Sequence, residues 1–210
     1  MKFKQVKIVG KKHTYIGKNV LFGKNVTIFE GNHIDGDTYI GDNVVLLPNN
    51  YIMDSHIGAN SKIHSSVIEE SYVECKAVIG PFSRIRPGSR IGHSVRIGNF
   101  SEIKNSSIGE RTKVNHMAYV GDSVIGKDCN IGCGVIFANY NGKTKSRTVV
   151  GDKCFVGSNV NLIAPLKIGD GVYICAGTTV VHDAKSGSFV IGRARAEEKE
   201  NRAKDYLKGI

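Results

Sequence analysis

The sequence predicts an all-β protein, a parallel β-helix built from stacked triangular coils, and two observations carry this prediction. An isoleucine, leucine or valine recurs at every sixth residue through most of the chain, usually beside a glycine. The chain also contains 25 glycines, 8% aromatic residues and no tryptophan, which suits an interior of small and branched side chains. Because such a solenoid presents flat faces, function is expected at its corners, in loops that interrupt the repeat or between subunits.

The repeat itself is the main element. An apolar residue, a tight turn at Gly or Asn and a second small or branched residue form one side of a triangle, and three sides close a coil of about 18 residues. The template occurs at residues 16–20, 22–26, 40–44, 125–129, 150–154 and 168–172. It runs without a linker from about residue 16 to residue 180, so we predict one β-helix domain over residues 1–192.

Three segments differ from the plain repeat. Residues 138–148 offer no inward apolar position, which predicts a protruding loop that turns at Asn141 and Gly142. Residues 193–210 predict a C-terminal tail, with a charged and weakly amphipathic helix over 195–207. Residues 99–120 keep the repeat but are unusually polar, so we expect functional side chains there.

The formal net charge of +10 predicts an anionic partner. The lysines are scattered over turn corners and form no stripe with exposed aromatic residues, so we expect a phosphorylated small molecule and no nucleic acid. The N-terminus has no apolar run of signal-peptide length, and no segment approaches the length of a membrane span. These features predict a cytoplasmic protein without a membrane span.

The five cysteines, none of them in a CxxC pair, indicate reduced thiols: Cys75, Cys129, Cys133, Cys154 and Cys175. Cys129 and Cys154 occupy the small inner position of the repeat, which predicts packed core thiols. A metal held by Cys129 and Cys133 is an alternative, but no further ligand set follows that spacing, so no metal is expected.

Arg86 and Lys104 are 18 residues apart, which predicts that they stack about 5 Å apart on one face. Both could be solvated corner residues. Two stacked cations repel each other, however, and a phosphate that bridges them would relieve that repulsion, with Arg offering a bidentate contact and Lys a point charge.

His116 is the candidate general base of the polar segment. Glu102 lies about one coil earlier, four residues short of the stacking interval, and a carboxylate there would hold the imidazole in one tautomer. The alternative is a hydrated corner histidine without a catalytic role.

A series of linked motifs covers residues 79–199 in a fixed order and spacing. The segments are 79–88 (IGPFSRIRPG), 98–104 (GNFSEIK), 116–122 (HMAYVGD), 139–142 (NYNG), 156–159 (VGSN), 176–180 (AGTTV) and 192–193 (GR). The set resembles the acetyltransferase half of the bifunctional N-acetylglucosamine-1-phosphate uridyltransferase/glucosamine-1-phosphate N-acetyltransferase family. A hexapeptide repeat alone is less specific, because many acyltransferases and carbonic anhydrases share it.

This resemblance implies a left-handed coil, an exception to the right-handed rule for parallel crossovers, and a homotrimer with active sites between subunits. It implies His116 as the catalytic base. The sugar-phosphate contacts that it implies are Arg86, Lys104, Tyr119, Asn130 and Lys145. The acetyl-CoA contacts that it implies are Cys133, Asn139, Tyr140, Ser158, Ala176, Arg193 and Lys199.

The chain departs from the family pattern at Asn141, where Asp is more usual, and at Cys133, where Ala is usual. Both changes lie near the expected acyl site and would tune binding. The nucleotidyltransferase half, with its glycine-rich nucleotide loop, is missing from this sequence, so uridylyl transfer is not expected of it. A separate nucleotidyltransferase is then a candidate partner.

Residues and resemblance together predict transfer of the acetyl group of acetyl-CoA to the amine of glucosamine-1-phosphate or a close relative. A backbone N–H near Cys133 is expected to stabilise the oxyanion. One alternative is a different sugar or nucleotide-sugar acceptor, acylated at nitrogen or oxygen. A second is a γ-class carbonic anhydrase, whose paired-histidine spacing is not present among His56, His64, His93 and His116. A third is a non-catalytic scaffold subunit.

Overall fold

The computed structural model describes residues 5–203 and confirms the predicted fold, a parallel β-solenoid of about ten coils that matches a left-handed β-helix. Three parallel sheets of 11, 10 and 9 short strands form the three sides, which we call sheets A, B and C. A coil contributes one strand to each sheet in turn. A 3₁₀ turn at Lys11–His13 is the other regular element that the described residues form.

Sheet A contains β1 Val6–Ile8, β4 Val26–Ile28, β7 Val45–Leu46, β10 Lys62–Ile63, β13 Val78–Ile79, β16 Arg96–Ile97, β19 Lys113–Val114, β22 Asn130–Ile131, β25 Phe155–Val156, β28 Tyr173–Ile174 and β30 Phe189–Val190. Sheet B contains β2 Tyr15–Ile16, β5 His33–Asp35, β8 Tyr51–Met53, β11 Val67–Glu69, β14 Arg84–Ile85, β17 Glu102–Lys104, β20 Tyr119–Gly121, β23 Ile136–Ala138, β26 Asn161–Ile163 and β29 Thr179–Val180. Sheet C contains β3 Leu21–Phe22, β6 Tyr39–Ile40, β9 His56–Ile57, β12 Tyr72–Val73, β15 Arg90–Ile91, β18 Ser107–Ile108, β21 Ser123–Ile125, β24 Thr148–Val150 and β27 Leu166–Ile168.

The core is a set of ladders in which one inward residue of each strand stacks on its counterpart in the next coil. In sheet B, Ile85, Ile103 and Val120 follow one another in register, and each is 0% exposed. Branched side chains suit this interior because they pack well on a pleated surface and lose little rotamer freedom in a strand. Each strand contributes one inward residue to a ladder, and this produces the six-residue spacing of apolar residues in the sequence.

The inner corner positions hold small polar side chains that donate to the backbone of the next coil. Thr112 Oγ1 donates to a carbonyl at 2.8 Å, and Cys129 Sγ and Cys154 Sγ do the same at 3.1 and 3.0 Å. Both cysteines are buried, as predicted. The hydrogen bond with Cys154, together with burial, raises the pKa of the Cys129 thiol, so it packs as a neutral group.

The coil length varies, which the constant 18-residue spacing did not anticipate. Arg84 pairs with Glu102 at a spacing of 18 residues, but Glu102 pairs with Tyr119 at 17. The solenoid also extends beyond residue 180, because β30 pairs with β28. The loop is shorter than expected and spans residues 139–147, since Ala138 ends strand β23 and Thr148 begins strand β24.

The predicted C-terminal helix does not begin at Arg195. Residues 191–199 are exposed and have no regular secondary structure, and residues 204–207 of the predicted helix lie outside the described part of the chain. A short charged segment with no surface to pack against does not offset the cost of helix nucleation in water. Within residues 5–203, no helix is long and apolar enough to cross a membrane.

Candidate active site

The corner between sheets A and B aligns five residues from successive coils: Asn99, His116, Cys133, Ser158 and Ala176. We call this line the corner column. Backbone hydrogen bonds hold this register. The residue that follows each column residue donates its N–H to the carbonyl of the column residue in the coil below. Coils stack about 4.8 Å apart, so the column extends about 14 Å from His116 to Ala176.

The upper part of the corner column has a smooth surface. Cys133, Ser158 and Ala176 are exposed and small, and a Cβ built on the neighbouring Gly157 would lie 2.5 Å from the backbone of Ala176. Arg193 lies at the upper end of the corner column, where its guanidinium donates to the Ala176 carbonyl at 3.1 Å. Four of the expected acetyl-CoA contacts therefore form one continuous strip above His116.

The imidazole of His116 is held by Asn99, whose side-chain oxygen lies 2.8 Å from Nδ1. An amide oxygen only accepts hydrogen bonds, so in this arrangement Nδ1 carries the proton and Nε2 offers its lone pair to solvent. This corrects the expectation that Glu102 holds His116. The coil here is 17 residues long, so His116 stacks directly on Asn99, while Glu102 lies within the next strand.

Glu102 instead binds a cation. Its Oε1 accepts from Arg86 Nη1 at 2.7 Å, and both side chains are 35% exposed. Arg86 and Lys104 do stack in adjacent coils, but each has its own carboxylate, because Lys104 Nζ lies 4.0 Å from Asp122 Oδ2. The mutual repulsion predicted for these cations is thus relieved within the chain, and both remain partly open to a ligand.

The corner between sheets B and C carries a polar ladder of Asn105, Asp122 and Asn139 in three successive coils. Asn105 Nδ2 donates to Asp122 Oδ1 at 2.7 Å, and Asn139 Nδ2 donates to Asp122 Oδ2. Burial opposes ionisation of Asp122, but both hydrogen bonds and the charges of Lys104 and Lys145 outweigh it, so the pKa of Asp122 lies below 3.8. Asp122 ends the 116–122 motif, but no pattern in the sequence predicts a role for it.

The Tyr119 side chain reaches this cluster through the space that Gly121 leaves open. A Cβ built on Gly121 would lie 2.6 Å from Tyr119 Oη and 2.8 Å from Asn139 Nδ2. The missing side chain therefore lets the phenol and the amide meet beside Lys104, which is the register partner of Gly121.

The loop over residues 139–147 folds back on itself beside this cluster. Tyr140 and Lys145 form an antiparallel bridge. Asn141 makes the turn, because its Oδ1 accepts from the N–H groups of Lys143 and Thr144 at 2.9 and 2.8 Å. Asn in place of the family's usual Asp thus keeps the turn geometry.

Two expected residues lie apart from these groups. Asn130 is on sheet A, above Lys113, whereas Arg86, Lys104 and Tyr119 are on sheet B. Lys199 is in the exposed tail, where its Nζ lies 3.9 Å from Glu197. In residues 5–203, no three side chains of His, Cys, Asp or Glu are grouped to hold a metal ion.

Three family models match parts of the chain. The GMPPB C-terminal domain matches residues 67–152, the bacterial transferase hexapeptide (six repeats) matches 147–182, and the hexapeptide repeat of succinyl-transferase matches 14–52.

Curated relatives match almost the whole chain. The Bifunctional protein GlmU of Clostridium kluyveri is 42% identical over 205 residues, which cover 98% of this chain and 44% of that protein. The GlmU of Clostridium acetobutylicum is 46% identical over 193 residues, covering 92% and 42%. The chain is a hexapeptide-repeat protein related to GlmU. These matches confirm the resemblance seen in the motifs, and the chain spans less than half the length of the GlmU relatives.

Solved structures match shorter stretches. A GDP-perosamine N-acetyltransferase from Caulobacter crescentus, in complex with CoA and GDP-perosamine, is 25% identical and covers 53% of this chain and 50% of that chain, with a TM-score of 0.48. The acetyltransferase domain of PglB from Neisseria gonorrhoeae is 21% identical, covers 53% and 52%, and has a TM-score of 0.48.

Proposed function

We propose that this chain transfers the acetyl group of acetyl-CoA to the amine of glucosamine-1-phosphate or a closely related amino-sugar phosphate. The corner column carries the proposal, because it leads a continuous strip of small exposed residues to a histidine whose Nε2 is open. The family resemblance of the motifs and the GlmU relatives support the same reaction.

Acetyl-CoA would lie along the corner column, with its thioester near Cys133, one coil above His116. Ser158 and Ala176 would contact the extended arm, and Asn139 and Tyr140 would contact the acyl end from the loop side. At the upper end, Arg193 would meet the phosphates of the coenzyme. Lys199 would join them from the tail.

The acceptor would bind on sheet B. Arg86 and Lys104 would hold the sugar phosphate as charge-assisted donors, and Tyr119 and Lys145 would orient the ring. Glu102 keeps a role in this scheme through its 2.7 Å contact with Arg86, which fixes the direction of the guanidinium. The strand between the two corners is three residues long, so these groups and His116 share one face about 10 Å wide.

His116 would act as general base. Its Nε2 takes a proton as the acceptor amine attacks the thioester carbonyl and the C–N bond forms. The N–H of Cys133 has no acceptor within residues 5–203, so it is free to donate to the developing oxyanion. When the C–S bond breaks, the proton held by His116 goes to the leaving thiolate, which restores the base. No cysteine needs to act as a nucleophile.

The site would be completed by a homotrimer. Asn130 lies on sheet A, on the other side of the corner from the cations of sheet B, and in this arrangement it would reach the substrate from a second subunit. Phe82, Phe100 and Met117 stack beside the corner column and are 61%, 61% and 59% exposed. Such a strip of large apolar side chains suits a contact with a second copy of the chain. The free cysteines support a reducing, cytoplasmic setting.

Thiol release from acetyl-CoA with glucosamine-1-phosphate tests the proposal. The unmodified chain should release CoA thiol, and His116→Ala should lose activity by about 10²-fold or more. His13→Ala, an exposed histidine in the 3₁₀ turn, is the matched control and should remain active. No release by the folded protein with glucosamine-1-phosphate or other amino-sugar phosphates would refute the proposed reaction.

A further inference from the structure

Asp122 is the buried charged group of this face that the proposed reaction does not use. Its side chain is 12% exposed and lies at a corner in the left-handed conformation, with φ of 48°. It accepts hydrogen bonds from Asn105 and Asn139 and lies 4.0 Å from the Lys104 ammonium. Its partners therefore include one residue from each of the two proposed substrate sites.

Other corners of the solenoid form similar ladders with neutral residues. Asn25 donates to Asn43 at 3.3 Å, and Asn43 donates to Asn60 at 3.2 Å. In that ladder the middle amide accepts from one neighbour and donates to the other. Stacking a corner therefore does not need a charge, and a carboxylate in a buried corner requires another explanation.

A carboxylate in the middle of the ladder fixes the direction of both neighbouring amides. Because it only accepts hydrogen bonds, Asn105 and Asn139 must both turn their NH₂ groups toward Asp122. The Oδ1 of Asn139 then faces away from Asp122, and no described residue donates to it. It is free to accept from an N–H group of a ligand.

The same carboxylate fixes Lys104. The Lys104 side chain is 20% exposed, so its ammonium is held by Asp122 on one side and can meet a ligand on the other. Gly121 leaves the space in which Tyr119 and Asn139 approach this pair. The phosphate side and the acyl side of the face are thus joined through a single buried group.

The geometry points to Asp122 as a positioning residue that orients Lys104 toward the acceptor phosphate and the Asn139 carbonyl oxygen toward an N–H group of the acyl donor or the acceptor. The inference rests on the proposed acetyl transfer. It adds a coupling between the two substrate sites, so one substitution at Asp122 should affect both Michaelis constants.

Asp122→Asn in the full chain is the test, assayed for thiol release with each substrate varied in turn. The new amide can accept from only one neighbour, and it no longer pairs with Lys104. We expect KM to rise on the order of tenfold for both acetyl-CoA and glucosamine-1-phosphate. Asn43→Ala, which breaks the neutral ladder, is the matched control and should leave both KM values unchanged.

Double variants separate positioning from a general loss of structure. In an Asn139→Ala background, Asp122→Asn should cause no further rise in the KM for acetyl-CoA. In a Lys104→Ala background, it should cause no further rise in the KM for the sugar phosphate. Fully additive effects, or unchanged KM values in Asp122→Asn, would overturn the positioning role while leaving the proposed function intact.

If the unmodified chain is inactive in the assay, that result would refute the proposed function and, with it, the positioning role of Asp122. Should Asp122→Asn not fold, Asp122→Glu is the second variant, because it keeps the charge but displaces the carboxylate by one methylene. It should raise both KM values by a smaller factor, and a variant with unchanged KM values would overturn the inference.

Discussion

Asn99 and Asp122 both act on the site by holding another side chain. Asn99 decides which nitrogen of His116 carries the proton, and Asp122 decides which way the amide of Asn139 points. Each lies at a corner directly below its partner, so the stacking of coils supplies the alignment. Orientation in this face is therefore a consequence of register and not of loop conformation.

The depressed pKa of Asp122 predicts a pH-dependent contribution to stability. A carboxyl whose folded pKa lies below its ordinary value of 3.8 stabilises the fold above that value and ceases to do so as pH falls through the folded pKa. Asp122→Asn should therefore lower the free energy of unfolding by about 1–3 kcal/mol at neutral pH. Urea unfolding between pH 7 and pH 2 should show that this difference narrows below about pH 4. A difference that is constant with pH would contradict an ionised Asp122 in the fold.

The candidate base His116 could be named from the sequence, but the side chain that holds its imidazole could not. The motif around His116 named the histidine, and Arg86 and Lys104 were expected to stack, as they do. Glu102 is the expected partner from its position about one coil before His116, whereas the 17-residue coil places Asn99 directly below the imidazole. A difference of one residue in coil length changes every pair of stacked residues above it, so contacts between coils can be assigned only from the observed register.

The strands depend on their inward ladders. Each strand has only two or three residues, and a strand of that length gains its stability from the coils above and below it. Outward-facing strand positions in sheet B tolerate Arg, Glu, Tyr and Asn because they make no core contact. This separation lets the same three-residue strand carry a core residue and two residues of the candidate site.

Ile103→Ala tests this dependence. Ile103 is 0% exposed and stacks between Ile85 and Val120, so its loss should leave a cavity and cost roughly 2–5 kcal/mol. Ile163→Ala in the same sheet, at a side chain that is 38% exposed, is the matched control and should cost much less. Chemical unfolding of both variants would measure the two costs, and equal values would contradict a ladder-based core.

The ends of the solenoid were less predictable than its middle. The repeat template gave the sides of the triangle correctly, yet its matches end near residue 180, before the strand Phe189–Val190 that pairs with Tyr173–Ile174. That pairing follows a segment without the six-residue template, so periodicity alone had no signal there. In the tail, by contrast, the sequence has a helical pattern but no helix forms over residues 195–199. A short segment without a surface to pack against does not offset the cost of helix nucleation.

Three bulky apolar residues are exposed at one corner of the solenoid. Phe82, Phe100 and Met117 have φ values of 58°, 58° and 48°, a conformation that is unfavourable for large side chains and is usually taken by Gly, Asn or Asp. They nevertheless expose their side chains beside the corner column. A backbone cost in three successive coils is best explained by the apolar surface that it creates, and a second copy of the chain would bury that surface.

Phe100→Asp separates the assembly from the fold of the single chain. Asp accepts the left-handed backbone more readily than Phe, so the coil should remain folded, while a charge would enter the proposed contact. Light scattering should then find a mass near 22.8 kDa in place of about three times that value, with thiol release lost in parallel. Leu21→Asp, at a side chain that is 57% exposed on sheet C, should leave both the mass and the activity unchanged. A fully active Phe100→Asp monomer would show that one subunit holds the complete site, and the role of Asn130 would then have to be sought on sheet A alone.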